Sequence, residues 1–218
     1  MGMIAQNLEK IRGDLVKNAK LVGRDPSSVE LVAVSKTVPI EAIREAYECG
    51  QRHFGESRLQ EALPKISALP DDIVWHFIGT LQGNKAKKIA EHFSWIHSLA
   101  NLDHLREIGK ANAKPSLLIE VNIAKEEKKS GILPEVLDGF SKSVLQWNHV
   151  QLRGLMMIGP PLDDAEEQRG NFKACRLLAE EILENPVLSM GMSGDYEVAV
   201  QEGSHFVRVG SAIFGQRV

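Results

Sequence analysis

The sequence predicts an α/β fold, a single (β/α)8 TIM barrel spanning residues 1–218, with an N-terminal helix before strand 1. Two observations carry this expectation. Eight short apolar runs alternate with helical patterns without a break, which demands parallel strands joined by helical crossovers. At 218 residues the chain also lies at the compact end of the ~200 to over 400 residues typical of that architecture. An open doubly wound sheet is the competing arrangement. No Gly-x-Gly-x-x-Gly follows the first strand, so a dinucleotide-binding version has little support.

Ile4, Leu8, Ile11 and Leu15 recur at helical spacing and predict an amphipathic first helix ending near Gly23. Leu31-Val32-Ala33-Val34 suits a strand buried on both faces, and Pro39 ends it because proline cannot donate to a ladder. A helix from Glu41 to Cys49 stops at Gly50. His53-Phe54-Gly55 is the second strand, followed by a helix through Leu59, Ala62, Leu63 and Ile66. The third strand is 73–78, and a basic helix runs from about Asn84 to His92. Strand four is expected at 93–97, and Asn101 and Asp103 are candidate caps for a helix reaching about Ala111. Strand five covers 116–123, and the charged run from Lys125 ends in Gly131 as an exposed loop. A helix covers 135–145 and strand six 150–158. The longest helix is expected over 165–183, then strand seven at 187–192, a short helix over 195–203 and strand eight at 206–209. Little chain follows strand eight, so the helix before strand one is expected to cover the place of an eighth outer helix.

Formal net charge is −3 with both signs mixed along the chain, which argues against nucleic acid as a partner. Cys49 and Cys175 are far apart and read as free thiols in helices. The seven histidines are scattered without ligand spacing, so no metal site is expected. No apolar run approaches the ~20 residues of a membrane span, and the first residues lack a secretory signal. A soluble, cytoplasmic protein is the expectation, with no membrane partner and a monomer preferred.

In a barrel the working end is built by the loops after the strands, with a phosphate commonly held at the last two. Lys36 stands at the carboxyl end of the first strand. Met192-Ser193-Gly194-Asp195 follows strand seven, and Arg208-Val209-Gly210-Ser211 closes strand eight. Ser193 and Ser211 offer hydroxyls, while Gly194 and Gly210 allow close approach of backbone N–H groups; a helix N-terminus there favours a dianion. Ordinary turns and caps would use the same residues. A lysine amine across from a phosphate cup defines a ligand with an aldehyde at one end and a phosphate at the other. Pyridoxal 5′-phosphate has that shape, and a partly desolvated lysine is suited to imine formation with it. Arg208 interrupts an apolar strand, which requires either a polar pocket or an ion pair, for instance with Glu120. Facing the pyridine nitrogen, it would keep that nitrogen unprotonated.

These residues fall within segments that resemble a known family. Ala33-Val34-Ser35-Lys36-Thr37, His76-Phe77-Ile78-Gly79, Arg153-Gly154-Leu155-Met156, Ser189-Met190-Gly191-Met192-Ser193 and Arg208-Val209-Gly210-Ser211-Ala212-Ile213-Phe214-Gly215 are similar to the pyridoxal phosphate homeostasis protein family, also called the proline synthetase co-transcribed homologue family. Its members resemble the N-terminal barrel of alanine racemases. The resemblance implies that Lys36 forms the Schiff base, that Ser193, Gly210 and Ser211 hold the phosphate, and that Arg208 meets the ring nitrogen. It also implies that Asn122 and Met156 line the pocket, and that Ser57 stands near the cofactor ring where the family normally has asparagine. Thr80 in place of proline, Gly159 after the Met156 segment, and Ser211 where threonine is frequent are the other departures. Ser211 keeps the hydroxyl.

Two functions follow from a bound cofactor. One is a carrier that buffers pyridoxal phosphate and delivers it to apo-enzymes that depend on it, without strong turnover. The other is an amino-acid racemase or lyase, which needs an acid/base on each face of the reacting carbon. Of the two tyrosines, Tyr47 is expected against the barrel wall, and Tyr196 is the candidate base near the mouth. The alanine racemase relative has a second domain that completes its site, and this sequence ends at Val218. The carrier is therefore the preferred expectation. A class I aldolase-type barrel using Lys36 on a sugar phosphate is a third reading, and it predicts no bound chromophore.

Overall fold

The computed structural model describes residues 2–215 except 128 and 163. Lys128 of the charged run and the two ends of the predicted 1–218 domain therefore lie outside the described residues. Eight strands form a closed, all-parallel barrel in sequence order: β1 Glu30–Val34, β2 His53–Glu56, β3 Val74–Phe77, β4 Trp95–Leu99, β5 Ser116–Glu120, β6 Gln151–Met156, β7 Val187–Ser189 and β8 Phe206–Val209. β8 closes on β1 with Val32 opposite Arg208 and Ala33 opposite Val209. The helices are α1 Met3–Leu21, α2 Ile40–Glu48, α3 Leu59–Ala68, α4 Gly83–His92, α5 Asp103–Ile108, α6 Pro134–Leu145, α7 Arg169–Ile182, α8 Tyr196–Gln201 and the single turn α9 Ser211–Phe214.

Strand parity divides the core in two, because successive side chains point to opposite faces. Leu31, Ala33, Phe54, Ile96, Leu117, Ile119, Leu188, Val207 and Val209 face outward into the layer under the helices. Val32, Leu118, Met156 and Phe206 face inward and form a small apolar plug inside the barrel. The same parity puts Arg208, two residues after Phe206, inside the barrel.

α1 lies between α2 and α8, where an eighth outer helix would otherwise sit. Its apolar face of Ile4, Leu8, Ile11, Leu15 and Ala19 is buried. Polar clamps fix it on both sides: Arg12 Nη1 donates to the Cys49 carbonyl at 2.8 Å, Tyr196 Oη to Asp14 Oδ2 at 2.8 Å, and Asn7 Nδ2 to the Ile213 carbonyl at 2.9 Å.

Several boundaries differ from the sequence expectation, and four of them have a clear local reason. β4 starts two residues late because the Phe93 N–H bonds the Ile89 carbonyl at 3.0 Å, closing α4, while its ring packs edge-on to Phe77. α5 stops at Ile108 instead of about Ala111, because the Lys110 and Ala111 N–H groups bond the Glu107 and Ile108 carbonyls, three residues back and not four. The expected long helix over 165–183 is interrupted, because Asp164 caps a 3-10 turn at Ala165–Gln168 and buried Gln168 donates to the Pro160 carbonyl. β7 ends at Ser189, and Gly191 turns away at φ +86°.

At Gly154 on β6 the backbone of β7 leaves no room for a side chain: a Cβ there would lie 1.9 Å from the Val187 carbonyl oxygen. A backbone neighbour cannot give way as a side chain can. Gly154→Ala is expected to lose about 3 kcal/mol or more, lowering Tm by roughly 6–12 °C. Thermal unfolding by circular dichroism checks this; an unchanged Tm would contradict the packing.

Candidate functional site

The turn after β1 presents Lys36, and buried chemistry beneath it sets its position. Thr37 adopts φ +63°, an unfavourable conformation for a β-branched residue. The Ser35 carbonyl accepts from Val38 N–H at 2.9 Å and from Lys65 Nζ at 2.8 Å. Lys65 also binds Glu56 Oε1 at 2.7 Å, and Ser35 Oγ donates to the same oxygen at 2.7 Å. Glu56 is fully buried and its Oε2 has no hydrogen-bond partner among the described residues. The peptide preceding Lys36 is therefore clamped by an ion pair between β2 and α3. Lys36 itself is half-buried at the mouth of the barrel.

Across from it, Ser193 Oγ accepts from Gly210 N–H at 3.3 Å, and Ser211 Oγ lies 3.2 Å from Ser193 Oγ. Gly210 packs closely on β1: a Cβ would lie 3.3 Å from the Val34 carbonyl oxygen. Lys36, Ser193, Arg208, Gly210 and Ser211 share one cleft of about 580 Å³, walled on the other side by Ile78 and Ile158. A second cleft of about 500 Å³ opens on the far side of Lys36, lined by Ser57, Gln82, Lys85 and Glu120 among others. Lys36 thus stands between the two. The short α8 begins beside the first cleft, but its Asp195 carboxylate accepts from Met192 N–H at 2.6 Å, so an acid occupies the end that was expected to favour a dianion.

Arg208 is 4% exposed. Its Nη1 donates to Ser189 Oγ at 2.6 Å and its Nη2 to the Met157 carbonyl at 2.8 Å. The Glu120 carboxylate, offered in the sequence reading as an ion-pair partner, instead accepts from Ser130 Oγ at 2.6 Å and acts on Arg208 through space. Burial lowers the guanidinium to about 10, against the opposing charges of Asp195 and Glu120.

The remaining expected residues are placed differently. Asn122 closes its own loop, its side chain donating to the Glu126 carbonyl at 2.9 Å and accepting from Glu126 N–H at 3.1 Å. Met156 is 1% exposed within the interior plug. Ser57 lines the second cleft. Tyr196, the expected base near the mouth, turns away from it: its hydroxyl is bound to Asp14 of α1, and burial raises its pKa. Tyr47 bonds Asp72 at 2.7 Å on the outer surface.

Composition gave no sign of a further feature inside the barrel. His53 Nδ1 lies 2.9 Å from His76 Nε2, His76 Nδ1 lies 2.9 Å from His97 Nε2, and His97 Nδ1 lies 2.9 Å from Ser189 Oγ. Burial holds His76 and His97 well below the ordinary imidazole range, His76 with added repulsion from its histidine neighbours and His97 from Arg208. The three histidines occupy inward positions on β2, β3 and β4, so strand parity combined with barrel order was the signal that could have found them.

The fold and the cleft define a class, a (β/α)8 barrel with a lysine after the first strand and a Ser/Gly cup after the last two. The family model described as alanine racemase, N-terminal domain, matches residues 6–218. The pyridoxal phosphate homeostasis protein of Pseudomonas aeruginosa is 44% identical over 100% of this chain and 97% of its own, and that of Escherichia coli K12 is 39% identical over 100% and 98%. The chain belongs to the pyridoxal phosphate homeostasis protein family, within the alanine racemase N-terminal domain group. PipY of Synechococcus elongatus, solved with PLP bound, has a TM-score of 0.84 at 39% identity, covering 97% of this chain and 100% of that one. Alanine racemase from Corynebacterium glutamicum shares the fold alone, with a TM-score of 0.69 at 18% identity over 99% of this chain and 61% of that one.

Two expectations follow from this site. Lys65→Met leaves the buried Glu56 carboxylate uncompensated and should destabilise by about 3–5 kcal/mol, whereas pairing it with Glu56→Gln should recover much of the loss. Urea titration of the single and double variants checks this; an equal loss in both would contradict the clamp. Because His76 and His97 stay neutral when folded, the unfolded chain binds more protons as pH falls below about 6.5. Stability is therefore present above that pH and falls below it, by on the order of 1 kcal/mol per pH unit for each histidine. His76→Gln should flatten this slope in urea titrations between pH 6.5 and 5; an unchanged slope would contradict burial of a neutral ring.

Proposed function

We propose that this chain is a pyridoxal 5′-phosphate-binding protein of cofactor homeostasis, holding the cofactor in the cleft between Lys36 and the Ser193–Ser211 cup. The observation that carries the reading is the placement of an amine, a guanidinium and two hydroxyls around one cleft. The guanidinium and the hydroxyls can donate to a ring nitrogen and a phosphate, and the amine can add to an aldehyde carbon. The open space at Gly194, where a Cβ would meet nothing within 4 Å, leaves room for the phosphate. PipY with PLP bound and the names of the curated relatives support the same assignment.

In this reading Lys36 supplies the amine that holds the aldehyde carbon. Ser193 and Ser211 turn their hydroxyls from one another to the phosphate, joined by the Gly210 N–H. Arg208 donates toward the ring nitrogen and keeps it free of a proton, and Val34, Ile78 and Ile158 exclude water from the ring edges. When bound, pyridoxal phosphate supplies an electrophilic aldehyde and a ring that accepts electrons. An arginine at the ring nitrogen restrains that second property.

Strong racemase or lyase turnover is disfavoured by the two tyrosines, whose hydroxyls are bound to Asp72 and Asp14, away from Lys36. The chain would act as a monomeric carrier that delivers the cofactor to apo-enzymes. Asn122 and Met156 would shape the cleft from beneath, and Ser57 from the second cleft.

Purified protein incubated with pyridoxal phosphate should gain visible absorbance, and borohydride should fix one equivalent to Lys36, read by peptide mass spectrometry. Lys36→Ala should lose the covalent label entirely. Ser211→Ala should weaken uptake by about tenfold through loss of one hydrogen bond to a charged group. A protein that takes up no pyridoxal phosphate, or is labelled at another lysine, contradicts the assignment. Sustained loss of amino-acid chirality under the same conditions would reject the carrier and favour the racemase.

A further inference from the structure

The histidines inside the barrel form a line from one end of it to the other. His53 is the first residue of β2, at the amino-terminal face, with its Nε2 3.7 Å from Glu30 Oε2. His76 and His97 follow on β3 and β4, and Ser189 ends β7 across the interior. Arg208 stands at the cleft. The line is sheathed in apolar rings: the Phe206 ring lies 5.0 Å from His76 and 5.6 Å from His97, and Trp95 stacks on His76 at 6.0 Å.

Hydrogen-bond accounting fixes every proton along it. Ser189 is fully buried, and the only partners of its hydroxyl among the described residues are Arg208 and His97. A guanidinium can only donate, so Ser189 Oγ accepts from Arg208 and must donate its own proton to His97 Nδ1. His97 then carries its proton on Nε2 and donates to His76 Nδ1. His76 in turn carries its proton on Nε2 and donates to His53 Nδ1. The His53 Nε2–H finally points toward the Glu30 carboxylate. All donors run in one direction, from the guanidinium at the cleft to a carboxylate at the opposite face.

We propose that His97 and Ser189, backed by His76 and His53, are positioning residues that hold the Arg208 guanidinium for the cofactor ring nitrogen. Two of its N–H groups are fixed inside the barrel, on Ser189 Oγ and the Met157 carbonyl. The plane of the group is then set before any ligand enters, and its remaining N–H groups are directed by the frame. A water or an apolar side chain in place of His97 would leave the Ser189 proton without a defined acceptor, so the hydroxyl could turn and release Arg208. The proposal rests on the pyridoxal phosphate reading at the Arg208 end only; the order of protons inside the barrel stands without it.

The experiment has two arms. In protein labelled with 15N-histidine and free of pyridoxal phosphate, long-range proton–nitrogen spectra at pH 7 should show His76 and His97 neutral and protonated on Nε2. A proton on Nδ1 of either ring, or an imidazolium, overturns the proposal. In the second arm, His97→Phe should weaken pyridoxal phosphate uptake about tenfold, the loss expected when a bond to a charged group is freed, and shift the absorbance band of the bound cofactor. His97→Gln, which offers one acceptor and one donor, should restore both. Equal behaviour of the Phe and Gln variants, or a folded His97→Phe protein with the wild-type band and affinity, overturns it. If His97→Phe does not fold, Ser189→Ala removes only the hydroxyl and should show the same loss and shift. A wild-type chain that takes up no pyridoxal phosphate overturns the cofactor reading and the role assigned to Arg208, and the spectra still decide the proton order.

Discussion

A guanidinium inside a closed barrel is the constraint on which the rest of this structure depends. Arg208 is buried by the alternation of a four-residue strand, and an unpaired ion there would cost several kcal/mol. The barrel meets that demand with neutral acceptors, a serine hydroxyl and a backbone carbonyl, and with carboxylates at a distance. No direct ion pair cancels the charge among the described residues. The positive field therefore remains available at the mouth. An anionic, ring-containing ligand would complete the compensation that the protein leaves unfinished.

The two sides of the cleft are built by different means. On the β1 side a lysine is aimed by a strained turn, and the strain is held by the buried Lys65–Glu56 pair against the Ser35 carbonyl. On the β7–β8 side, glycine and serine give short reach and small volume, so hydroxyls and backbone N–H groups can meet around one point. Rigid positioning on both sides suits retention of a ligand in one pose. The tyrosine that would have supplied chemistry on a second face instead ties α8 to α1 through Asp14, so a group that could act as a base serves to close the helical layer.

Most of the barrel was legible because it depends on short-range pattern. Short strand-like runs alternating with helical patterns marked all eight strands, and Lys36, Ser193, Arg208, Gly210 and Ser211 could be placed at the same end from strand order alone. What escaped the sequence depends on register and long-range contact. His53, His76 and His97 are separated by 23 and 21 residues and looked unrelated until adjacent strands brought them into line. Lys65 lies within the helix expected through Leu59 and Ile66, and nothing in that local pattern shows that its amine reaches the Ser35 carbonyl. Tyr196 was placed near the mouth correctly in sequence but not in direction, because helix rotation on α1 decides where its hydroxyl goes. Met156 ends β6 and Asn122 lies two residues past β5, and their side chains are engaged by the interior plug and by a loop.

The most direct test of the central claim is a crystal structure of the protein grown with pyridoxal phosphate. Continuous density from Lys36 Nζ, a phosphate within hydrogen-bond distance of Ser193, Gly210 and Ser211, and the ring nitrogen facing Arg208 are the predicted result. A cofactor bound through another lysine, or a phosphate seated in the second cleft beside Lys85, would contradict it.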